Sequence, residues 1–120
     1  MNALNQIKTV IFPVAGIGSR FLPVTKTVPK ELLPILNIPL IEYAVNEAKE
    51  AGIERFIFVS SPEKKSITDY FKKDKKLESY LKNKNSDLLI GLEKNLISDD
   101  SLIEVVQEEP LGLGHAIWCA

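Results

Sequence analysis

The sequence is poor in residues that build covalent or metal scaffolds, with one cysteine, one histidine, one tryptophan and one methionine in 120 residues. A lone Cys119 cannot close an internal disulfide, which excludes the stapled secreted class and points to a reducing compartment, the cytoplasm. A lone His115 excludes a metal cluster built from histidines. No apolar run approaches the ~20 residues of a membrane span, so no membrane partner is expected. Met1 to Lys8 carries one cationic side chain and no apolar stretch, so no signal peptide is expected there. Neither sign of charge dominates: 15 Lys and Arg face 16 Asp and Glu, a net of −1, which argues against a nucleic-acid partner. Repeats, low-complexity tracts and linkers are missing too. What is present is 45% hydrophobic and 26% charged residues, enough apolar material to argue against disorder.

The order of elements reads as α/β. Lys8 to Val14 is short, β-branched and nearly all apolar, as a strand buried on both faces of a parallel sheet reads. Ala15 to Ile38 contains Pro23, Pro29 and Pro34, whose fixed φ and missing N–H argue against a long regular element. Pro39 then opens a helix with Leu40, Ile41, Ala44, Val45, Ala48 and Ala51 on one face and Glu42, Asn46, Glu47, Lys49 and Glu50 mostly on the other, with Gly52 past its end. Phe56 to Val59 is a second apolar strand, and the unit is a βαβ crossover with parallel strands. A helix over Glu63–Phe71 follows, then one or two helices within 74–97 broken near Asn83-Lys84-Asn85. The lysines among Lys72–Lys76 read as a solvated helix face. Asp99-Asp100-Ser101 is a turn, Leu102–Val106 a third strand, Gln107–Gly114 a loop, and His115–Ala120 the start of an apolar helix in which Trp118 and Cys119 read as core. Because the last residues fall inside an apolar segment, the domain is expected to continue beyond residue 120.

The glycine turn after the first strand is the most suggestive segment. In open α/β sheets ligands sit beyond the carboxyl ends of strands, where Ala15-Gly16-Ile17-Gly18-Ser19-Arg20 lies. A dinucleotide fingerprint would need a third glycine where Phe21 stands, and a Walker loop would need Lys-Ser/Thr after its second glycine. Neither pattern is met, which weakens a dinucleotide-dependent oxidoreductase. What remains is a tight turn followed by Arg20, Lys26 and Lys30, with Glu31 as the nearby acid. Glycines let backbone N–H groups approach anionic oxygens, and three cations suit a polyphosphate better than a carboxylate. On spacing alone, a surface loop kept soluble by its cations stays open as the alternative.

From Gly16 to Pro34 every fixed position matches G-x-G-[ST]-R-x-x-P-x-T-K-x-x-P-K-E-[ML]-L-P. This stretch resembles the sugar-1-phosphate nucleotidyltransferase family, most closely its bacterial UTP–glucose-1-phosphate uridylyltransferase branch. Pro39-Leu40-Ile41-Glu42-Tyr43, Glu50-Ala51-Gly52-Ile53, and Gln107 with Gly112-Leu113-Gly114-His115-Ala116 extend the likeness over nearly the whole chain. The resemblance implies a Rossmann-like three-layer fold with a mostly parallel sheet, of which residues 1–120 would be the N-terminal nucleotide-binding part of a single domain. It implies transfer of a uridylyl group from UTP to glucose 1-phosphate, giving UDP-glucose and pyrophosphate, in a homo-oligomeric enzyme.

By the same resemblance, Arg20 and Lys30 are catalytic, Arg20 on the departing phosphates and Lys30 near the transferred phosphorus. Ala15, Gly16 and Gly18 belong to the nucleotide loop. Glu31, Gln107 and Gly114 address the uracil edge, and Glu31 favours the uridylyl over the thymidylyl branch. Lys26 reads equally as a phosphate contact or a border of the site. His115 reads equally as a helix-start polar residue or a ligand-side group. A Mg2+ ion is implied, with its Asp ligand expected beyond residue 120. Leu111 departs from the family, where Lys commonly stands. A non-catalytic nucleotide-binding fragment is the alternative if no such Asp exists.

Overall fold

The computed structural model describes residues 6–120; residues 1–5, part of the segment read as lacking a signal peptide, lie outside the described residues. The first strand, β1 (Thr9–Pro13), is followed by three single 3₁₀ turns, Ser19–Phe21, Val24–Lys26 and Lys30–Leu32. A two-residue hairpin of β2 (Pro34–Ile35) and β3 (Ile38–Pro39) closes that segment. The prolines keep every piece short, as expected from their geometry.

Helix α1 (Leu40–Glu50) begins after Pro39, and Gly52 follows its end at φ 88. Strand β4 (Arg55–Ser60) leads to α2 (Lys65–Tyr70). The 74–97 segment forms two helices, α3 (Lys75–Lys82) and α4 (Ser86–Glu93). Strand β5 (Leu102–Val106) and helix α5 (Leu113–Cys119) complete the order. The main sheet runs β1-β4-β5 with both pairs parallel, and α5 lies against β1 and β4.

Val10 pairs with Phe56, Phe12 with Phe58, and Phe56 with Leu102, so one sheet face carries a continuous apolar band. Ile41 and Val45 of α1, Ile67 of α2, and Phe71 and Ile97 close over it as the buried core. Phe12, Phe58 and Phe71 stack in succession at centroid distances of 5.1 and 5.6 Å. Burying such side chains contributes about 1.5–3 kcal/mol each.

Four expectations need correction. Glu42 is buried at 3%, not on the solvent face, while Leu40 is 42% exposed. Glu42 is tolerated inside because the Tyr70 hydroxyl donates to its Oε1 at 2.6 Å. Burial, and then that carboxylate, push the Tyr70 hydroxyl above the usual tyrosine range. Trp118, read as core, is 81% exposed, because the buried side of α5 is marked by Ala116. Helix α5 also starts two residues earlier than expected, at Leu113, so Gly114 lies in its first turn. Of the lysine run, Lys72 and Lys73 precede α3 and only Lys75 and Lys76 join its exposed surface.

Candidate functional site

Parallel register brings the candidate residues to one edge. Pro13 is level with Val59, and Ser60 with Val106, so all three strands end together. The ladder continues past those ends: Val14 N donates to Val59 O at 2.9 Å, and Gln107 N to Ser60 O at 2.7 Å. The glycine turn, the Ser61–Lys64 segment and Gln107 therefore emerge side by side, where ligands of open α/β sheets sit.

Two adjoining cavities occupy that edge. One, of about 350 Å3, is lined by Ala15, Lys26, Lys64 and Gln107 together with Thr25 and Pro110. The other, of about 280 Å3, is lined by Ala15, Gly16, Gln107, Gly112 and Leu113. Ala15, Gln107 and Pro110 belong to both. Either volume approaches the range in which small ligands are held.

Gly18 is left-handed at φ 71, ψ 38, a conformation that glycine adopts without steric cost. A Cβ there would meet Thr25 Cγ2 at 3.2 Å and Lys30 Cβ at 3.4 Å, so the turn is packed against both. The Thr25 hydroxyl donates to Gly18 O at 2.7 Å and locks the first two 3₁₀ turns together. Arg20, Lys26 and Lys30 each fall in a different one of the three turns. Among the described residues none of these cations has an ion-pair partner. Arg20 and Lys30 line neither cavity, and Arg20 is exposed.

Glu31 is placed elsewhere than the sequence reading expects. Its Oε1 lies 2.9 Å from Lys64 Nζ, with both side chains 10% exposed, and it lines neither cavity. Lys64 is the residue that sequence reasoning missed. From the N-cap of α2 its ammonium donates to Val14 O at 3.0 Å, to Gly16 O and to Glu31, joining strand end, glycine turn and third 3₁₀ turn. The available signal was its position just past a strand's carboxyl end.

Gln107 is 6% exposed, and its Nε2 donates to His115 Nδ1 at 2.8 Å and to Gly112 O at 3.3 Å. Gly112, at φ 99, supplies the turn that brings its carbonyl round, and it lines the smaller cavity where Gly114 does not. His115 thus sits beside Gln107, and the sole cysteine is one helical turn on.

No three His, Cys, Asp or Glu side chains gather in one place among the described residues. These residues do not fit a magnesium ion by themselves. The arrangement offers backbone groups, one oriented amide and the unpaired Lys26 at the cleft, with Arg20 and Lys30 on the neighbouring 3₁₀ turns, which is a means of holding an anionic ligand with hydrogen-bonding edges.

A family model described as nucleotidyl transferase matches residues 8–120. A UTP–glucose-1-phosphate uridylyltransferase of Bacillus subtilis is 43% identical over 117 residues, 98% of this chain and 40% of the relative. The solved structure of a UTP-bound UDP-glucose pyrophosphorylase from Acinetobacter baumannii is similar at a TM-score of 0.89 and 47% identity, covering 95% of this chain and 40% of that one. A UDP-glucose pyrophosphorylase complexed with UDP-glucose is similar at a TM-score of 0.70 and 43% identity, with 94% and 40% covered. The chain spans about 40% of the length of the relatives it matches.

Proposed function

The chain belongs to the nucleotidyl transferase family, and from that premise we propose that it is the nucleotide-binding part of a UTP–glucose-1-phosphate uridylyltransferase. Residues 1–120 then form one portion of a single domain, acting in the cytoplasm within a homo-oligomeric enzyme. No helix among the described residues is long and apolar enough to cross a membrane. The observation that carries the reading is the 47% identity to a UTP-bound pyrophosphorylase over 95% of this chain, with the glycine turn and Gln107 meeting at one cleft.

In this reading the backbone of Ala15 and Gly16 lies along the nucleoside, and Gln107 meets the uracil edge. Gly18 keeps the turn tight enough for backbone approach. Arg20 offers a planar fork to the β- and γ-phosphates, while Lys30 and Lys26 place point charges along the chain of phosphates. An oxygen of glucose 1-phosphate forms a bond to the α-phosphorus, and the bond from that phosphorus to the β-phosphate's bridging oxygen breaks. Pyrophosphate leaves with the electron pair. Such transfers need positioning and charge neutralisation more than a covalent nucleophile, which is what fixed cations supply. Magnesium would add charge neutralisation when bound, at a site that the described residues do not build by themselves.

Initial rates with UTP and with dTTP on the full-length protein test the reading. UTP should be preferred with glucose 1-phosphate as acceptor. A clear dTTP preference would place the protein in the thymidylyl branch instead.

A further inference from the structure

Gln107 is held in a way that settles which of its amide atoms is free. A backbone carbonyl only accepts hydrogen bonds, so the group facing Gly112 O at 3.3 Å is the amide nitrogen. The second hydrogen of Nε2 goes to His115 Nδ1 at 2.8 Å. That bond requires the neutral imidazole with its proton on Nε2; Cys119 Sγ, 3.8 Å from Nε2 and 3.9 Å from Nδ1, favours neither nitrogen. The Trp118 ring stacks against that of His115, 6.0 Å away at 21°. Both amide hydrogens are therefore spent inside the protein. Oε1 has no partner among the described residues, and no buried side-chain oxygen or nitrogen there lacks one. Oε1 consequently keeps access to the cleft whose two cavities Gln107 lines.

We propose that His115 is a positioning residue that sets nucleobase choice by locking Gln107 with its acceptor oxygen toward the ligand. This rests on the reading that Gln107 meets the base of UTP. An acceptor at that point fits a base edge carrying an imide N–H, as uracil and thymine do. It opposes cytosine, whose N3 presents a lone pair there. A site built to pair with a specific N–H rejects a base lacking it, because buried polar groups would otherwise be left unmatched. Without His115, only the longer bond to Gly112 O resists rotation of the amide.

The test uses the full-length protein and measures the ratio of UTP to CTP dissociation constants for wild type, His115→Leu and His115→Asn. Leucine fills similar space without an acceptor, whereas asparagine keeps an oxygen where Nδ1 stood. His115→Leu should lower the UTP-to-CTP preference roughly tenfold, the worth of one hydrogen bond, and His115→Asn should restore most of it. A preference unchanged in His115→Leu would overturn the proposal while leaving the uridylyl reading intact. Equal binding of UTP and CTP by wild type would overturn both. The histidine tautomer supplies a check that needs no variant: 15N-histidine labelling should show His115 protonated on Nε2 with Nδ1 accepting. A proton on Nδ1 would overturn the proposal even if the leucine variant failed to fold.

Discussion

Lys64 Nζ and Glu31 Oε1 stand 2.9 Å apart in side chains that are each 10% exposed, and the ammonium also donates to Val14 O at the strand end and to Gly16 O of the glycine turn. Desolvating two charges offsets much of their attraction, so the pair adds little net stability over an apolar replacement. Removing one member is a different matter, because the other stays buried and unmatched. Lys64→Met should cost about 3–5 kcal/mol in urea unfolding, and Lys64→Met combined with Glu31→Leu should recover a large part of that loss. A cost near zero for the single change would mean that the charge is not enclosed as described. This contact was not legible in the sequence. It joins residues 33 apart, and nothing in the local pattern around either residue names the other. The glycines and cations, by contrast, could be read because their spacing is local. Gly18 in particular stands where backbone geometry allows little else.

At the scale of elements, legibility followed the locality of the cause. The break between α3 and α4 was readable because Asn85 caps α4 through its own side chain, accepting from Leu88 N at 3.1 Å, as Asp74 caps the start of α3 by accepting from Leu77 N at 3.1 Å. The three parallel strands were readable from apolar runs whose length matches a buried strand. The start of α5 was not, since Gly-Leu-Gly reads as loop until the surrounding fold selects helix. The exposure of Trp118 was unreadable for a related reason, as an apolar helix does not state which side meets the sheet. Helix α4 is short and buries little, with Leu88 57% and Ile90 53% exposed. Its cap therefore matters more than it would in a well-packed helix. Asn85→Ala should weaken α4 by about 1 kcal/mol, seen as faster amide exchange across Ser86–Glu93 with the strands unaffected. Exchange that rises equally in β4 would show instead that α4 is coupled to the whole core.

The whole molecule is thin and surface-rich, extending 47 × 47 × 23 Å with a radius of gyration of 15.8 Å, against roughly 14 Å for a compact domain of this length. Its accessible surface is 8640 Å2, where a compact monomer of similar mass would show roughly 6500 Å2. Part of the excess is apolar: Leu113 is 64%, Ile117 52% and Trp118 81% exposed along α5. Function follows the same limit. The two adjoining cavities at the strand ends share Ala15, Gln107 and Pro110, and the proposed function gives both to one nucleotide. A further cavity lies away from them, among α2, α3 and α4. Transfer needs a second substrate held in line with the first, and the charge on the phosphates must be offset while the bond forms. Residues 1–120 produced alone should therefore bind UTP yet release no pyrophosphate from UTP, glucose 1-phosphate and magnesium, whereas the full-length protein should release it. Trp118 is the sole tryptophan of the segment, so acrylamide should quench the fluorescence of the isolated segment nearly as well as that of free indole. Pyrophosphate release by the segment alone would mean that these residues hold both substrates, and that the acceptor site lies within the cleft assigned here to the nucleotide.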